Sequence, residues 1–459
     1  MPERLTIGKL AVWGKSRPGL SPAVAKRPVR GIHTDSRKVG SGDLFIALKT
    51  RNDDGHRYVE SAFAAGATAA VVAAKNKKSF PARIQKKLIA VPDPLKALQR
   101  MAQAYRKELG ILMIGLTGSN GKTTTRNAIA HVLERGYPVG TTAGNFNNHI
   151  GVPLSILSFT GKEWLGVIEM GANHVREIHT LSMIVKPDIA LITNIGYAHV
   201  GLFKSLENTT TAKFEIVDGL NKRNGFLMIN GDDHRLFKRA QELGIQTTSY
   251  GFSSRCTVRA TSYELLSANR ARFEVEGHRF TLPMPGRHFV YSALPAIILA
   301  RRLGIDRTDV VDALQEISPV SLRGVIRKKK NATFVLDCYN ANPSSMKAGL
   351  QLLDDIAAKS EKVAIVGDML ELGSASNRLH KQLGKLVYDS GVKRALAVGE
   401  YADSIAEGAV KAGMKAKNIA TARSAEEALD RARKIIKPGN AVLVKGSRRV
   451  HLETVFENL

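Results

Sequence analysis

The residues best suited to chemistry lie in Gly115-Leu116-Thr117-Gly118-Ser119-Asn120-Gly121-Lys122-Thr123-Thr124-Thr125. Glycines let backbone N–H groups turn toward an anion, and Lys122 adds a full positive charge. The Thr123 hydroxyl is an oxygen donor suited to Mg²⁺. Before the loop, Ile111-Leu112-Met113-Ile114 reads as a buried strand. After it, Ile129, Val132 and Leu133 recur at helical spacing, which predicts a helix from near Lys122. Strand, glycine loop, lysine and helix together bind the phosphates of a nucleoside triphosphate. The general signature G-x-x-x-x-G-K-[ST] wants glycine at 116, where this chain has Leu116. The competing reading is an ordinary glycine turn, and the flanking strand, lysine and threonine weigh against it.

Two strand ends downstream add polar groups. Leu165-Gly166-Val167-Ile168 leads into Glu169, and Ile189-Ala190-Leu191-Ile192 leads toward His199. Both fall at the carboxyl edge of an open α/β sheet, where ligands bind, and Glu169 could ligate Mg²⁺ on a nucleotide. Singly, each is more often a structural polar group; paired behind one phosphate loop, they point to function. Between them Gly144-Asn145-Phe146-Asn147-Asn148-His149 forms an amide-rich loop. Thr209 to Ile216 reads as a helix start, with Lys213 by composition a solvated lysine.

These groups need three platforms. The length of 459 residues suggests about three domains, placed at 1–108, 109–316 and 317–459. The first is a small α/β module, with strands at Ala69–Val72 and Leu88–Val91 and a helix from Pro94 to Leu109. It carries Thr34-Asp35-Ser36-Arg37 and Asp54-Gly55-His56, whose side chains could hold a base and a diphosphate but read more simply as Asx-type turns. The second holds the phosphate loop on a parallel sheet, and ends with an apolar helix opened by Gly286-Arg287-His288. The third alternates strands near 333–336, 363–366, 395–398 and 441–444 with helices, a doubly wound α/β pattern. Its loops, 337–343, 367–371 and 445–448, would gather at one edge.

Composition narrows the classes. The longest apolar run, Ala293 to Ala300, contains a proline and is far short of the ~20 residues of a membrane span. The first five residues carry no long apolar segment, so no signal peptide is expected. Two cysteines argue against a disulfide framework and suit a reducing cytoplasm. The net charge of +27 attracts anions, either nucleic acid or an anionic nucleotide-linked substrate. The densest basic run, Arg327-Lys328-Lys329-Lys330, has no interleaved aromatics for stacking bases and reads as a solvated turn, so no nucleic-acid partner is expected.

At these residues the chain resembles the Mur ligases, ATP-dependent amide ligases of peptidoglycan precursor synthesis. The phosphate loop is similar to that family's T-G-x-N-G-K-T form, which accounts for Leu116. Asp35-Ser36-Arg37, Gly42-Asp43-Leu44-Phe45 and Asp54-Gly55-His56 resemble its uridine-binding module. Tyr339-Asn340-Ala341-Asn342-Pro343, Gly367-Asp368-Met369-Leu370-Glu371 and Lys445-Gly446-Ser447-Arg448 look like the branch that adds D-alanyl-D-alanine to UDP-N-acetylmuramoyl-tripeptide. The alternative is the sister ligase that adds diaminopimelate or lysine, whose diaminopimelate form carries Asp-Asn-Pro-Arg; here Ser344 follows the single Asn-Pro. Folylpolyglutamate synthetase, a simple kinase or NTPase, and a basic nucleic-acid-binding protein are more distant readings.

The resemblance implies ATP, two Mg²⁺ ions and a cytoplasmic monomer. It implies phosphate contacts from Gly118, Ser119, Asn120, Gly121, Lys122, Thr123 and Thr124, and metal contacts from Thr123, Glu169 and His199. Lys213 resembles the lysine that CO₂ carbamylates to hold the second Mg²⁺. Asp337 would contact the ribose, Asn340 the phosphates, and Arg323 would lie beside the nucleotide. Asp35, Ser36, Arg37, Asp54, His56, Asn342, Lys445 and Ser447 would contact the other substrates. Two departures stand out. The family's G-x-H-N-x-x-N, whose asparagines hydrogen-bond adenine, is here Gly286-Arg287-His288-Phe289-Val290-Tyr291-Ser292, leaving Ser292 or the amides near Asn145 for the base. The hinge reads Arg323-Gly324 where the family places glycine first.

Overall fold

The computed structural model describes residues 5–198, 200–319 and 321–459. Three sheets organise them. The first is parallel, with Ile32–His33, Leu44–Ile46, Ala69–Ala73 and Leu88–Val91 side by side in chain order. The long helix Pro94–Leu109 leaves it, capped by the Asp93 carboxylate, and buries Leu98, Met101 and Tyr105.

The second sheet has nine strands. Leu112–Thr117 lies third from one edge, paired with Leu165–Glu169 on one side and Ile189–Ile192 on the other. The chain first winds outward to Val139–Thr141 and then crosses to the opposite side, so the end of Leu112–Thr117 is a topological switch point. The phosphate loop leaves the sheet there. Beyond Ile189–Ile192 come Phe226–Asn230 and Thr247–Gly251, then the antiparallel strands Val258–Ser267, Arg270–Val275 and His278–Leu282. The sheet is therefore mixed, where the sequence pattern predicts a parallel one. The helix Arg287–Arg302 packs against the phosphate-loop helix Lys122–Leu133 in one apolar core.

The third sheet runs Val325–Lys329, Ala332–Asp337, Ala441–Lys445, Lys362–Gly367, Arg394–Val398 and Ile419–Ala422. Its strands are parallel except the first, an antiparallel edge strand. Arg327, Lys328 and Lys329 belong to that edge, so the basic run is not a turn; only Lys330 and Asn331 turn the hairpin. Charge on an edge strand discourages pairing with another chain.

Leu116 also has a structural reason. It is still strand, fully buried, and the loop begins only at Gly118. Gly118 and Gly121 have φ of +148° and +77°, and a Cβ at 118 would lie 1.9 Å from Thr193 Oγ1. Glycine is required at these two positions and not at 116. The helix carrying Lys213 spans Leu206–Phe214, three residues ahead of the sequence expectation, because Ser205 caps it. Among the described residues no helix is long and apolar enough to cross a membrane, and Cys256 and Cys338 are buried free thiols.

Candidate active site

A cleft of about 640 Å³ opens where the second and third sheets face each other. Ser119, Asn120, Gly121, Lys122, Thr123 and Thr124 line one wall, and Asn145, Glu169, Arg323, Asp337, Asn340 and Lys445 complete it. Most of the phosphate and metal residues expected from sequence are thus brought together. Gly118 lies just behind them, its carbonyl accepting from Lys122 Nζ at 2.8 Å. The lysine is half-buried and folded back onto its own loop. The loop is held open by Asn194, whose Oδ1 accepts from the Asn120 N–H at 2.9 Å.

Glu169 sits at its strand end, 2 % exposed. Its Oε2 accepts from Thr123 Oγ1 at 2.9 Å and its Oε1 from Asn147 Nδ2 at 2.8 Å. Arg126 Nη1 stands 3.5 Å from the same Oε2. Thr123 also receives the Arg323 guanidinium at 3.4 Å, and that guanidinium stacks 4.0 Å from the Tyr339 ring. Thr123 and Glu169 are hard oxygen donors side by side, which suits Mg²⁺. Among the described residues no three His, Cys, Asp or Glu side chains converge on one point, so such an ion would need phosphate oxygens as well. His199 lies outside the described residues.

Lys213 is not a solvated lysine. It is 2 % exposed, with its ammonium 5.2 Å over the Phe203 ring. Burial, then the charge of Lys122, pushes its pKa down to about 7, against the opposing pull of Glu177 and Glu215.

The third sheet supplies the opposite wall. Asp337 and Lys445 are register neighbours on adjacent strands, and Lys445 Nζ donates to Asp337 Oδ2 at 2.6 Å and to the Asn340 carbonyl at 3.0 Å. Lys445, 1 % exposed, is therefore a strut under Asp337 and Asn340. Ser447 is likewise internal: its Oγ accepts the Leu370 N–H, and its N–H donates to the Asp368 carbonyl. Asn342 caps the helix Pro343–Ala357 in a capping box, and its amide also meets that of Asn120 in both directions, at 2.6 and 3.3 Å. That pair joins the third domain to the phosphate loop across 222 residues. Gly201 N–H donates to the Glu371 carbonyl at 2.9 Å beside it, so the two domains are docked. Asn342→Ser should separate the two roles of this residue. Serine can still cap the helix, while losing the amide pair should raise KM for ATP about fivefold, as steady-state kinetics would read.

The N-terminal residues stand apart from the cleft. Arg37 forms a two-pronged pair with Asp35, and Ser36 opens the turn Ser36–Lys38 that Asp35 caps. Asp54 accepts from His56 Nδ1 at 2.6 Å, and His56 Nε2 accepts the Ala73 N–H at 2.9 Å. Both ring nitrogens of His56 are thereby committed within the protein. At the other end of the cleft, Ser292 Oγ accepts from Thr125 Oγ1 at 3.2 Å, and Tyr291 Oη donates to Asp232 at 2.7 Å. His288 beside them is held neutral, its pKa lowered to about 4 by burial.

Sequence reasoning missed Arg126, Asn147 and Asn194. Arg126 could have been found one helical turn beyond Lys122, on the same face.

Three family models match in order: "Mur ligase family, catalytic domain" over residues 28–106, "Mur ligase middle domain" over 116–300, and "Mur ligase, glutamate ligase domain" over 323–448. The chain is 35 % identical over 446 residues to the UDP-N-acetylmuramoyl-tripeptide–D-alanyl-D-alanine ligase of Bacillus subtilis, covering 96 % of this chain and 95 % of the relative. Its structure is similar to a crystal structure of MurF from Acinetobacter baumannii, with TM-score 0.89 and 30 % identity, over 100 % of this chain and 99 % of the other. MurF from Thermotoga maritima in complex with ADP aligns with TM-score 0.81 and 27 % identity, over 94 % and 96 % of the two chains.

Proposed function

The chain belongs to the Mur ligase family, and from that premise we propose that it joins D-alanyl-D-alanine to UDP-N-acetylmuramoyl-tripeptide with conversion of ATP to ADP. The observation that carries this reading is the whole-length similarity to relatives bearing that name. The same names favour dipeptide addition over addition of the third amino acid. Buried free thiols and nucleotide substrates fit a cytoplasmic enzyme, and a cleft built within one chain fits a monomer.

The chemistry is carboxylate activation. The tripeptide carboxylate attacks the γ-phosphorus of ATP, ADP leaves, and the acyl phosphate forms. The dipeptide amine then attacks the acyl carbon, and inorganic phosphate leaves. The protein's share is positioning and charge neutralisation. Lys122 and the N–H groups of 121–123 would hold the β- and γ-phosphates, Asn340 would approach them from the third domain, and Arg323 would neutralise charge beside Thr123. Asp337 would hold the ribose. Asp35, Ser36 and Arg37 remain the groups for the uridine diphosphate. The docked third domain supports exclusion of water from the acyl phosphate, with 317 as the hinge.

Thr123 and Glu169 would hold Mg²⁺, which supplies charge neutralisation on the transferring phosphoryl group. Lys213 has the environment for carbamylation: only a neutral amine attacks CO₂, and its pKa is near 7. Above pH 7 the amine is mostly neutral; at pH 6 about nine-tenths of it is protonated. Bicarbonate should therefore activate more strongly at pH 8 than at pH 6 in enzyme stripped of CO₂. Lys213→Ala should lose activity, with partial rescue by short carboxylic acids; a fully active variant would remove the carbamate.

The test of the reaction is a substrate matrix read as ADP release. UDP-precursors of different peptide length would be paired with single amino acids and with D-alanyl-D-alanine. Turnover should need the tripeptide precursor and the dipeptide together. Release without an amine would mark a simple ATPase, and preference for a dipeptide precursor with a single amino acid would mark the sister ligase.

A further inference from the structure

Arg126 is a buried cation placed against the carboxylate proposed to hold the metal. It is 6 % exposed, on the first turns of the helix Lys122–Leu133. Its Nη1 donates to the Gly144 carbonyl at 2.8 Å, and its Nε and Nη2 both donate to Asn127 Oδ1. These neutral acceptors fix the guanidinium without balancing its charge. The carboxylate that balances it is Glu169, 3.5 Å away at Oε2. Glu169 in turn is engaged at both oxygens: Thr123 Oγ1 donates to Oε2 and Asn147 Nδ2 to Oε1. A divalent cation entering here must approach a fixed guanidinium.

From this geometry we infer that Arg126 is an internal counter-cation that makes metal binding at Glu169 conditional on the nucleotide. The inference rests on the metal reading of Glu169 given above. Without nucleotide, Arg126 neutralises Glu169 and repels a dication across a short gap between two buried side chains. When a triphosphate enters the loop beside it, the same positive charge attracts the incoming anion, and the metal arrives with the phosphates as one complex. One charge thus opposes the free metal and favours the metal nucleotide. That opposition of sign separates it from a structural arginine, whose loss would loosen the loop and weaken both.

Direct binding of Mn²⁺, followed by the electron paramagnetic resonance of the free ion, reads this without turnover. It would be measured alone and with the β,γ-imido analogue of ATP. Arg126→Gln keeps a donor for the Gly144 carbonyl and removes the charge; Arg126→Met is a second neutral replacement should the first fail to fold; Arg126→Lys retains the charge. Each neutral variant should bind Mn²⁺ alone on the order of tenfold more tightly, and Mn²⁺ with the analogue on the order of tenfold more weakly. The lysine variant should stay near the parent protein in both. Weakening of both, or no change in either, would overturn the inference. Glu169→Gln in the parent distinguishes the two failures: if it leaves Mn²⁺ binding intact, the metal reading of Glu169 is wrong; if it abolishes binding while the neutral variants do not tighten it, only the role of Arg126 is wrong.

Discussion

Replacing Lys122 with alanine is expected to lower kcat/KM for ligation by about a thousandfold or more, while the protein stays folded. The half-buried lysine folds onto the carbonyls of Gly118 and Ser119 and, among the described residues, has no carboxylate hydrogen-bonded to it, so its removal leaves no unpaired charge behind. What it removes is a preorganised cation where charge accumulates on the transferring phosphoryl group. Loss of one such group in a water-excluded site typically costs about 10²–10³ in rate, and here the group also serves nucleotide binding. ADP release followed over a range of ATP concentrations, with far-ultraviolet circular dichroism as a folding control, measures it. Ligation at the parent rate would refute the assignment of the loop.

The second large effect is expected at Lys445, through a different mechanism. Lys445→Met removes a buried ammonium that ties Asp337 to the Asn340 carbonyl. The Asp337 carboxylate then loses its partner beneath the cleft floor. Breaking a buried ion pair by removing one partner costs about 3 kcal/mol or more; Asp337 retains some solvent access, which places this case at the low end. The same change frees the Asp337 side chain and the Asn340 main chain, the two residues proposed to reach ATP from the third domain, so KM for ATP should rise as well. Chemical denaturation and ATP-dependence of turnover read the two consequences. A variant of parental stability would show that the strut is dispensable. A destabilised variant with unchanged KM would show that Asp337 and Asn340 do not act on the nucleotide.

Much of the architecture could be read from the chain because parallel strands buried on both faces are continuous apolar runs. Val363–Val366 and Ala441–Val444 needed nothing more. The hairpins of residues 258–282 escaped because their solvent face carries Arg259, Arg270 and Arg272, and half-exposed strands of mixed polarity give only a weak alternating signal. Arg327–Lys329 misled for the same reason: charge on an edge strand looks like a turn until its partner strand is known. The cleft was legible where function resides in local spacing, as in residues 118–124. It was illegible where a side chain's role depends on a distant partner. Lys445 looks like a residue offered to a ligand until the register pairs it with Asp337, 108 positions earlier. Arg126 looks like a solvent-facing helix residue until the strand ending in Glu169 closes over it. Lys213 looks solvated until Phe203 covers it.

A loop of the second sheet and the edge of the third should meet on a single ATP. A crystal structure with the β,γ-imido analogue of ATP and Mg²⁺ tests this most directly. The β- and γ-phosphate oxygens should lie within hydrogen-bonding distance of the 121–123 amides and Lys122 Nζ, with Asp337 on the ribose of the same molecule. Phosphates bound away from the N-terminus of the helix Lys122–Leu133, or a ribose that no residue of the third domain touches, would contradict it.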